Sequence, residues 1–94
     1  MKLVWTARAK ADLRDIARYV ADFSPPAALA LVRRLRSAAA QLVDYPHSGR
    51  SGRVEETREL VVAGTSYILP YRVRDGRVEI LAVLHASRQW PDQL

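Results

Sequence analysis

The sequence predicts an α+β domain in which a strand, two helices and a three-stranded meander follow one another as β-α-α-β-β-β. Three observations carry this expectation. Apolar residues recur at helical spacing in two consecutive stretches, divided by Ser24-Pro25-Pro26. Residues 60–63 and 78–84 are almost wholly apolar and rich in Val, Ile and Leu, as strands buried on at least one face must be. Asp75-Gly76 stands between Arg74 and Arg77, and this dipeptide tolerates the positive backbone angles of a two-residue type I′ hairpin turn. At 94 residues the whole chain, 1–94, is expected to be one domain, burying ~60–65% of its unfolded surface.

Taken in order, Lys2 to Thr6 (KLVWT) reads as a short strand, with Leu3 and Trp5 on one face and Val4 on the other. It is too short to stand alone and must pair with the later sheet. Thr6 fits the N-cap of a first helix whose stripe is Ala9, Leu13, Ile16, Val20 and Phe23. Arg8, Asp12, Asp15, Arg18 and Asp22 take the opposite face, where they read as a solvated charge pattern. Ser24 fits the N-cap of a second helix and Pro25 its first position, where the missing N–H costs nothing. Its stripe is Ala28, Val32, Leu35, Ala39 and Leu42, while Arg33, Arg34 and Arg36 cluster on the far side, and Tyr45-Pro46 is expected to end it. The two helices are expected to pair as a hairpin.

His47 to Arg53 (HSGRSGR) is a loop by composition. Its spacing matches no phosphate-loop motif and lacks the terminal Gly-Lys-Ser or Gly-Lys-Thr. In the meander, alternation separates Leu60 and Val62 from Val61 and Ala63, and Tyr67, Leu69, Tyr71 and Val73 from Ile68, Pro70 and Arg72. It also separates Val78, Ile80, Ala82 and Leu84 from Glu79, Leu81, Val83 and His85. The first set of each strand is expected to face the helices. The second face, with Val61, Ile68, Leu81 and Val83, is more apolar than a freely solvated face requires, so a partner or the C-terminal tail is expected to cover it. Pro70 cannot donate to a ladder and is expected to mark a bulge or an unpaired position.

Composition narrows the function classes. There is no cysteine and only two distant histidines, which argues against a disulfide framework, a thiolate nucleophile or a metal site, and no cofactor is expected. No apolar run approaches the ~20 residues of a membrane span, and Met1-Lys2 leads into the first strand without a signal-peptide h-region. A cytoplasmic location is expected. The net charge is +5 and thirteen of the fifteen basic residues are arginine, a balance that favours an acidic protein or a nucleic acid as partner. An arginine-rich proteome produces the same balance, so charge alone does not choose.

The ordered set of residues resembles a toxin of the RelE/ParE superfamily of type II toxin–antitoxin modules, over nearly the whole chain. The resemblance rests on Trp5-Thr6, Ala9, Asp12-Leu13, Ile16 and Tyr19, then Pro46 and Gly49-Arg50. It continues through Arg58-Glu59-Leu60, the run Tyr67 to Val73 (YILPYRV), Val78-Glu79-Ile80-Leu81, and His85, Arg88 and Trp90. Two branches follow from it: RelE-like nucleases that cut messenger RNA on the ribosome, and ParE-like chains that poison DNA gyrase. The region before the hairpin lacks a lysine cluster, Ala86 follows His85 where RelE-like chains tend to carry arginine, and Trp90 replaces a late tyrosine. The resemblance is therefore closer to the ParE branch, familiar from plasmid stabilisation.

That resemblance implies a toxin inhibiting gyrase by binding rather than by its own chemistry, neutralised by a cognate ParD-like antitoxin with an acidic, amphipathic C-terminal segment. The antitoxin surface would comprise Arg33, Arg34 and Arg36, together with Val61, Ile68, Arg72, Leu81 and Val83. His85, Arg88 and Trp90 would touch the target. Were the chain instead a ribosome-dependent endonuclease, Arg58, Arg72, His85 and Arg88 would be its catalytic candidates. Each has a structural alternative: Arg58 and Arg72 as partners of Glu59 and Glu79, His85 as a hydrogen-bonded strand end, Trp90 as a cap on the core. A decayed toxin that only binds antitoxin is the third reading.

Overall fold

The computed structural model describes residues 1–87, and its element order starts β1 (Lys2–Trp5), α1 (Ala7–Ala21), α2 (Pro25–Gln41). It continues with β2 (Arg50–Ser51), β3 (Arg58–Val61), β4 (Tyr67–Arg74), β5 (Arg77–Ile80) and β6 (Leu84–His85). The strands form one sheet in the order β1-β5-β4-β3-β2, with β6 paired to β4. Only β1 runs parallel to its neighbour, β5; the remaining pairs are antiparallel. The helices pack on one another and on one face of this sheet, as the sequence predicts for an α+β layer.

Local chemistry explains where the elements begin. Thr6 is extended and its Oγ1 accepts the Ala9 N–H at 3.2 Å, capping α1, while the same hydroxyl lies 2.8 Å from the Ile80 carbonyl and donates to it. The Thr6 N–H also donates to that carbonyl, at 3.1 Å. One residue thus starts the helix and ties it to the end of β5. Ser24 accepts the Ala27 N–H at 3.3 Å, with Pro25 in the first helical position. Asp75 and Gly76 have φ of 55° and 70°, both left-handed, as a type I′ turn requires, and they join the paired Arg74 and Arg77.

The core lies between helices and sheet. Leu13, Leu35, Leu42, Leu69, Tyr71, Val78 and Ile80 are buried there, each large aliphatic side chain contributing about 1.5–3 kcal/mol by its removal from water. Phe23 departs from the expected stripe. Helix α1 stops at Ala21, so Phe23 lies in the turn beyond it, 77% exposed, with its ring edge-on to Tyr19 at 5.4 Å. The second helix ends at Gln41, four residues before Tyr45, and turns 42–44 complete the approach to Pro46.

The predicted fourth strand is two strands. Between the partners Tyr71–Ile80 and Ile68–Leu84, two residues of β4, Leu69 and Pro70, stand opposite three, 81–83. The extra residue is a bulge, and it sits where Pro70 cannot donate; the Pro70 carbonyl still accepts the Leu81 N–H at 2.9 Å. One extra residue inverts the alternation that follows it. Val83 therefore joins the helix-side core, and His85 pairs with Tyr67 on that same side, not on the second face with Leu81 as unbroken alternation predicts. The displaced Val83 N–H is taken by Asp12 Oδ2 of α1 at 3.0 Å, so Asp12 does more than decorate a solvated face.

Candidate functional site

A cleft of about 410 Å³ opens between the two helices and strand β1. Its floor is Trp5, Leu13, Ala17 and Val32, and its rim is Lys10, Arg14 and Arg36. The sequence builds it from simple spacings. Trp5 pairs with Ile80 and so projects to the helix side of an outer strand. Leu13 and Ala17 stand four apart on α1, as do Lys10 and Arg14, which places an apolar row beside a cationic row. On α2 Val32 and Arg36 also stand four apart, so an apolar residue and a cation follow one another in a single row. None of Lys10, Arg14 or Arg36 forms an ion pair among the described residues, whereas Arg8 meets Asp12 at 3.6 Å. The cleft is an apolar trough with uncompensated positive charge along its edges.

The predicted arginine cluster is divided by helical phase. Arg36 lines the cleft; Arg33 and Arg34 are exposed outside it, and Arg34, two residues or ~200° away from Arg36, points to the opposite flank. The second sheet face is also less open than expected. Ile68 and Leu81 are 3% and 6% exposed and Val83 belongs to the other side, which leaves Val61, 51% exposed, as its accessible apolar residue of the four. Ile68, Leu81 and Val83 are thus buried, at 3%, 6% and 4% exposure. Arg88 and Trp90 lie outside the described residues, as does the tail expected to cover this face.

The nuclease candidates are held apart. Arg58 pairs with Tyr71 and His85 with Tyr67, which puts both on the helix side, whereas Arg72 pairs with Glu79 on the second face. Each has structural work. Arg58 does not meet Glu59, because neighbours in a strand project to opposite faces. Its Nη1 donates instead to the carbonyls of Gly49 and His47, at 2.9 and 3.2 Å. Arg72 Nε donates to Glu79 Oε1 at 2.6 Å, as the alternative reading of that arginine predicts. His85 Nδ1 accepts the Ser87 N–H at 3.2 Å and lies 2.8 Å from Ser87 Oγ, while its ring meets Tyr67 edge-on at 5.4 Å.

Sequence reasoning missed a second construction. Tyr71 is fully buried; its hydroxyl donates to the Pro46 carbonyl at 2.8 Å and accepts the Gly49 N–H at 2.9 Å. Burial pushes the phenol above its ordinary value, and the Gly49 hydrogen bond and the Arg58 charge counter it in part. Gly49 must be glycine: a Cβ there would stand 2.6 Å from the Tyr71 oxygen and 2.9 Å from the Glu59 carbonyl. Glu59, 2% exposed, accepts from Arg50 Nη2 at 3.0 Å and from the Arg53 N–H at 2.7 Å. The 46–59 segment is thereby stapled to the sheet. The signal available in the sequence was the Gly49-Arg50 and Arg58-Glu59 pairs, whose partners alternation alone does not reveal.

The family described as the ParE toxin of the type II toxin–antitoxin system, parDE, matches residues 3–90. Y4kP of Sinorhizobium fredii, named as a toxin, is 48% identical over 94 residues, covering 99% of this chain and 96% of its own. Toxin RelE2 of Caulobacter vibrioides is 45% identical over 87 residues, 93% of this chain and 97% of that one. A solved structure titled as the chromosomal ParDE TA system from P. aeruginosa superposes with a TM-score of 0.83 at 30% identity, over 93% of this chain and 97% of that one. The chain therefore belongs to the ParE toxin family of type II toxin–antitoxin systems.

Proposed function

We propose that this toxin arrests growth by binding DNA gyrase and holding it on DNA, and that a ParD-like antitoxin neutralises it through the helix-side cleft. The observation that supports action by binding is the separation of the nuclease candidates. Arg58 and His85 stand on one sheet face and Arg72 on the other, and each is spent on a hydrogen bond within the fold. General acid–base cleavage of RNA needs such groups converging within hydrogen-bond reach of one phosphate. The antitoxin assignment is supported by the cleft's chemistry: an apolar floor takes the hydrophobic row of an amphipathic segment, and Lys10, Arg14 and Arg36 meet its carboxylates. Arg33 extends this cationic margin along α2, and Val61, Arg34 and Arg72 belong to more distant parts of the same partner's path. His85, with Arg88 and Trp90 following it in sequence, is assigned to the target contact.

Two assays test the reading. In the first, purified toxin is added to gyrase and relaxed plasmid; loss of supercoiling with accumulation of cleaved plasmid is expected, and unimpeded supercoiling overturns the target. In the second, Ala17→Glu and Arg36→Glu toxins are co-expressed with antitoxin; growth arrest that the antitoxin no longer relieves is expected, and full rescue overturns the cleft. The name of the RelE2 relative favours one second reading, ribosome-dependent cleavage of messenger RNA. Translation-dependent breakage of a reporter transcript, without a DNA-damage response, would establish it in place of the first.

A further inference from the structure

The sheet face turned away from the helices carries a charge distribution of which the proposed function uses only Arg72, on the antitoxin's path. Register places Lys2, Arg72, Arg74 and Arg77 together on it, around Glu79, since Lys2 pairs with Arg77, Arg77 with Arg74, and Arg72 with Glu79. Glu79 meets all three arginines, Arg72 at 2.6, Arg74 at 3.3 and Arg77 at 3.6 Å. At the far edge Arg50 and Arg53 flank Glu59 at 3.0 and 4.0 Å. Six cations therefore gather around two buried carboxylates, with Asp75 in the adjoining turn and Glu55 and Glu56 following Arg53 as the exposed acidic neighbours; Arg50, Arg53 and Arg74 remain more than half exposed. Arg77 is not fully committed to its carboxylate: its Nε is buried with no acceptor among the described residues, the single such side-chain atom there. The buried glutamates act as anchors that hold guanidinium groups in place without cancelling them.

We propose that this face binds the phosphate backbone of double-stranded DNA. From β1 to β2 the cations span four strand spacings, ~19 Å, enough to reach phosphates on both sides of a DNA groove. A duplex presents one charge per ~1.7 Å of axis, so every guanidinium across that width finds an anion whatever the sequence. Single-stranded nucleic acid is disfavoured by the same register. It is bound on aromatic platforms, and the aromatic side chains of the sheet, Trp5, Tyr67 and Tyr71, all project to the helix side. The inference does not depend on gyrase being the target.

The test is anisotropy of a labelled duplex of arbitrary sequence, titrated with the full chain at several salt concentrations. Four phosphate contacts would weaken binding on the order of 100-fold between 50 and 200 mM salt, each contact adding ~0.9 to the logarithmic slope. Lys2→Gln/Arg74→Gln, two exposed positions whose loss leaves Arg72 and Arg77 on Glu79, is expected to lower that slope by ~2. Arg33→Gln/Arg34→Gln removes the same charge from the helix side and is expected to leave the slope unchanged. Equal losses from both double variants would overturn the proposal, because net charge and not this face would then be responsible. Tighter binding of single-stranded RNA of equal length, or of polyglutamate at matched charge, than of the duplex would also overturn it and reassign the face to RNA or to an acidic protein.

Discussion

Tyr71→Phe removes one oxygen and nothing else from the best-packed point of the sheet. The ring keeps its volume, so the fully buried contacts of Tyr71 are retained and the effect isolates two hydrogen bonds. The Gly49 N–H, 2.9 Å from the hydroxyl and buried, loses its acceptor; the Pro46 carbonyl, at 2.8 Å and partly exposed, loses its donor but keeps access to water. An unsatisfied buried donor costs about 1–3 kcal/mol and a partly solvated acceptor less, so the variant should lose about 2–3 kcal/mol. For a domain of this size each kcal/mol lowers the midpoint by about 4–8 °C, so the melting temperature should fall by roughly 10–20 °C. Thermal and urea melts followed by circular dichroism measure the loss, and hydrogen exchange at Gly49 locates it. A loss under about 0.5 kcal/mol with Gly49 still protected would refute the claim that the phenol staples the 46–59 segment.

Two further outcomes follow from single contacts. Asp12→Ala leaves the Val83 N–H, in a residue 4% exposed, without the carboxylate it meets at 3.0 Å; about 1–3 kcal/mol should be lost, and Asp12→Asn, which keeps an acceptor, should recover most of it in the same urea melts. Glu79 has its carboxyl held below the ordinary 4.5, first by the Arg72 hydrogen bond and then by the charges of Arg72, Arg74 and Arg77, against the opposing effect of burial. A folded pKa below the unfolded one means that the unfolded chain binds the proton more readily. The contribution is thus complete above about pH 4.5 and is lost as pH falls through the folded value. Urea midpoints measured across that range should drop on the acid side, and Glu79→Gln should flatten this limb; an unchanged limb in the variant would refute the assignment to Glu79.

Much of the fold was legible because short-range chemistry decides it. The caps Thr6 and Ser24, Pro25 at the start of α2, and Asp75-Gly76 in the hairpin turn each act within a few residues, and each stands where the pattern predicts. The helical stripes through Leu13 and Leu35 point into the core for the same reason. The family resemblance was legible too, carried by an ordered set of residues spread along the whole chain, and the match over residues 3–90 agrees with it.

What tertiary structure alone decided begins at the bulge. A period of two has no memory of an inserted residue, so alternation carried Val83 and His85 to the wrong face, and only the pairing of β4 with both β5 and β6 reveals the inversion. The same holds for charge. The sequence by itself determined an excess of five positive charges, an α+β order of elements and a chain without cysteine. The fold decided that Lys10, Arg14 and Arg36 would rim an apolar cleft, that Glu59 and Glu79 would be buried beneath arginines, and that Arg58 and Arg72 would face opposite ways. These are pairings between residues distant in sequence, whose partners are set by strand order and helix packing, and no local spacing records them.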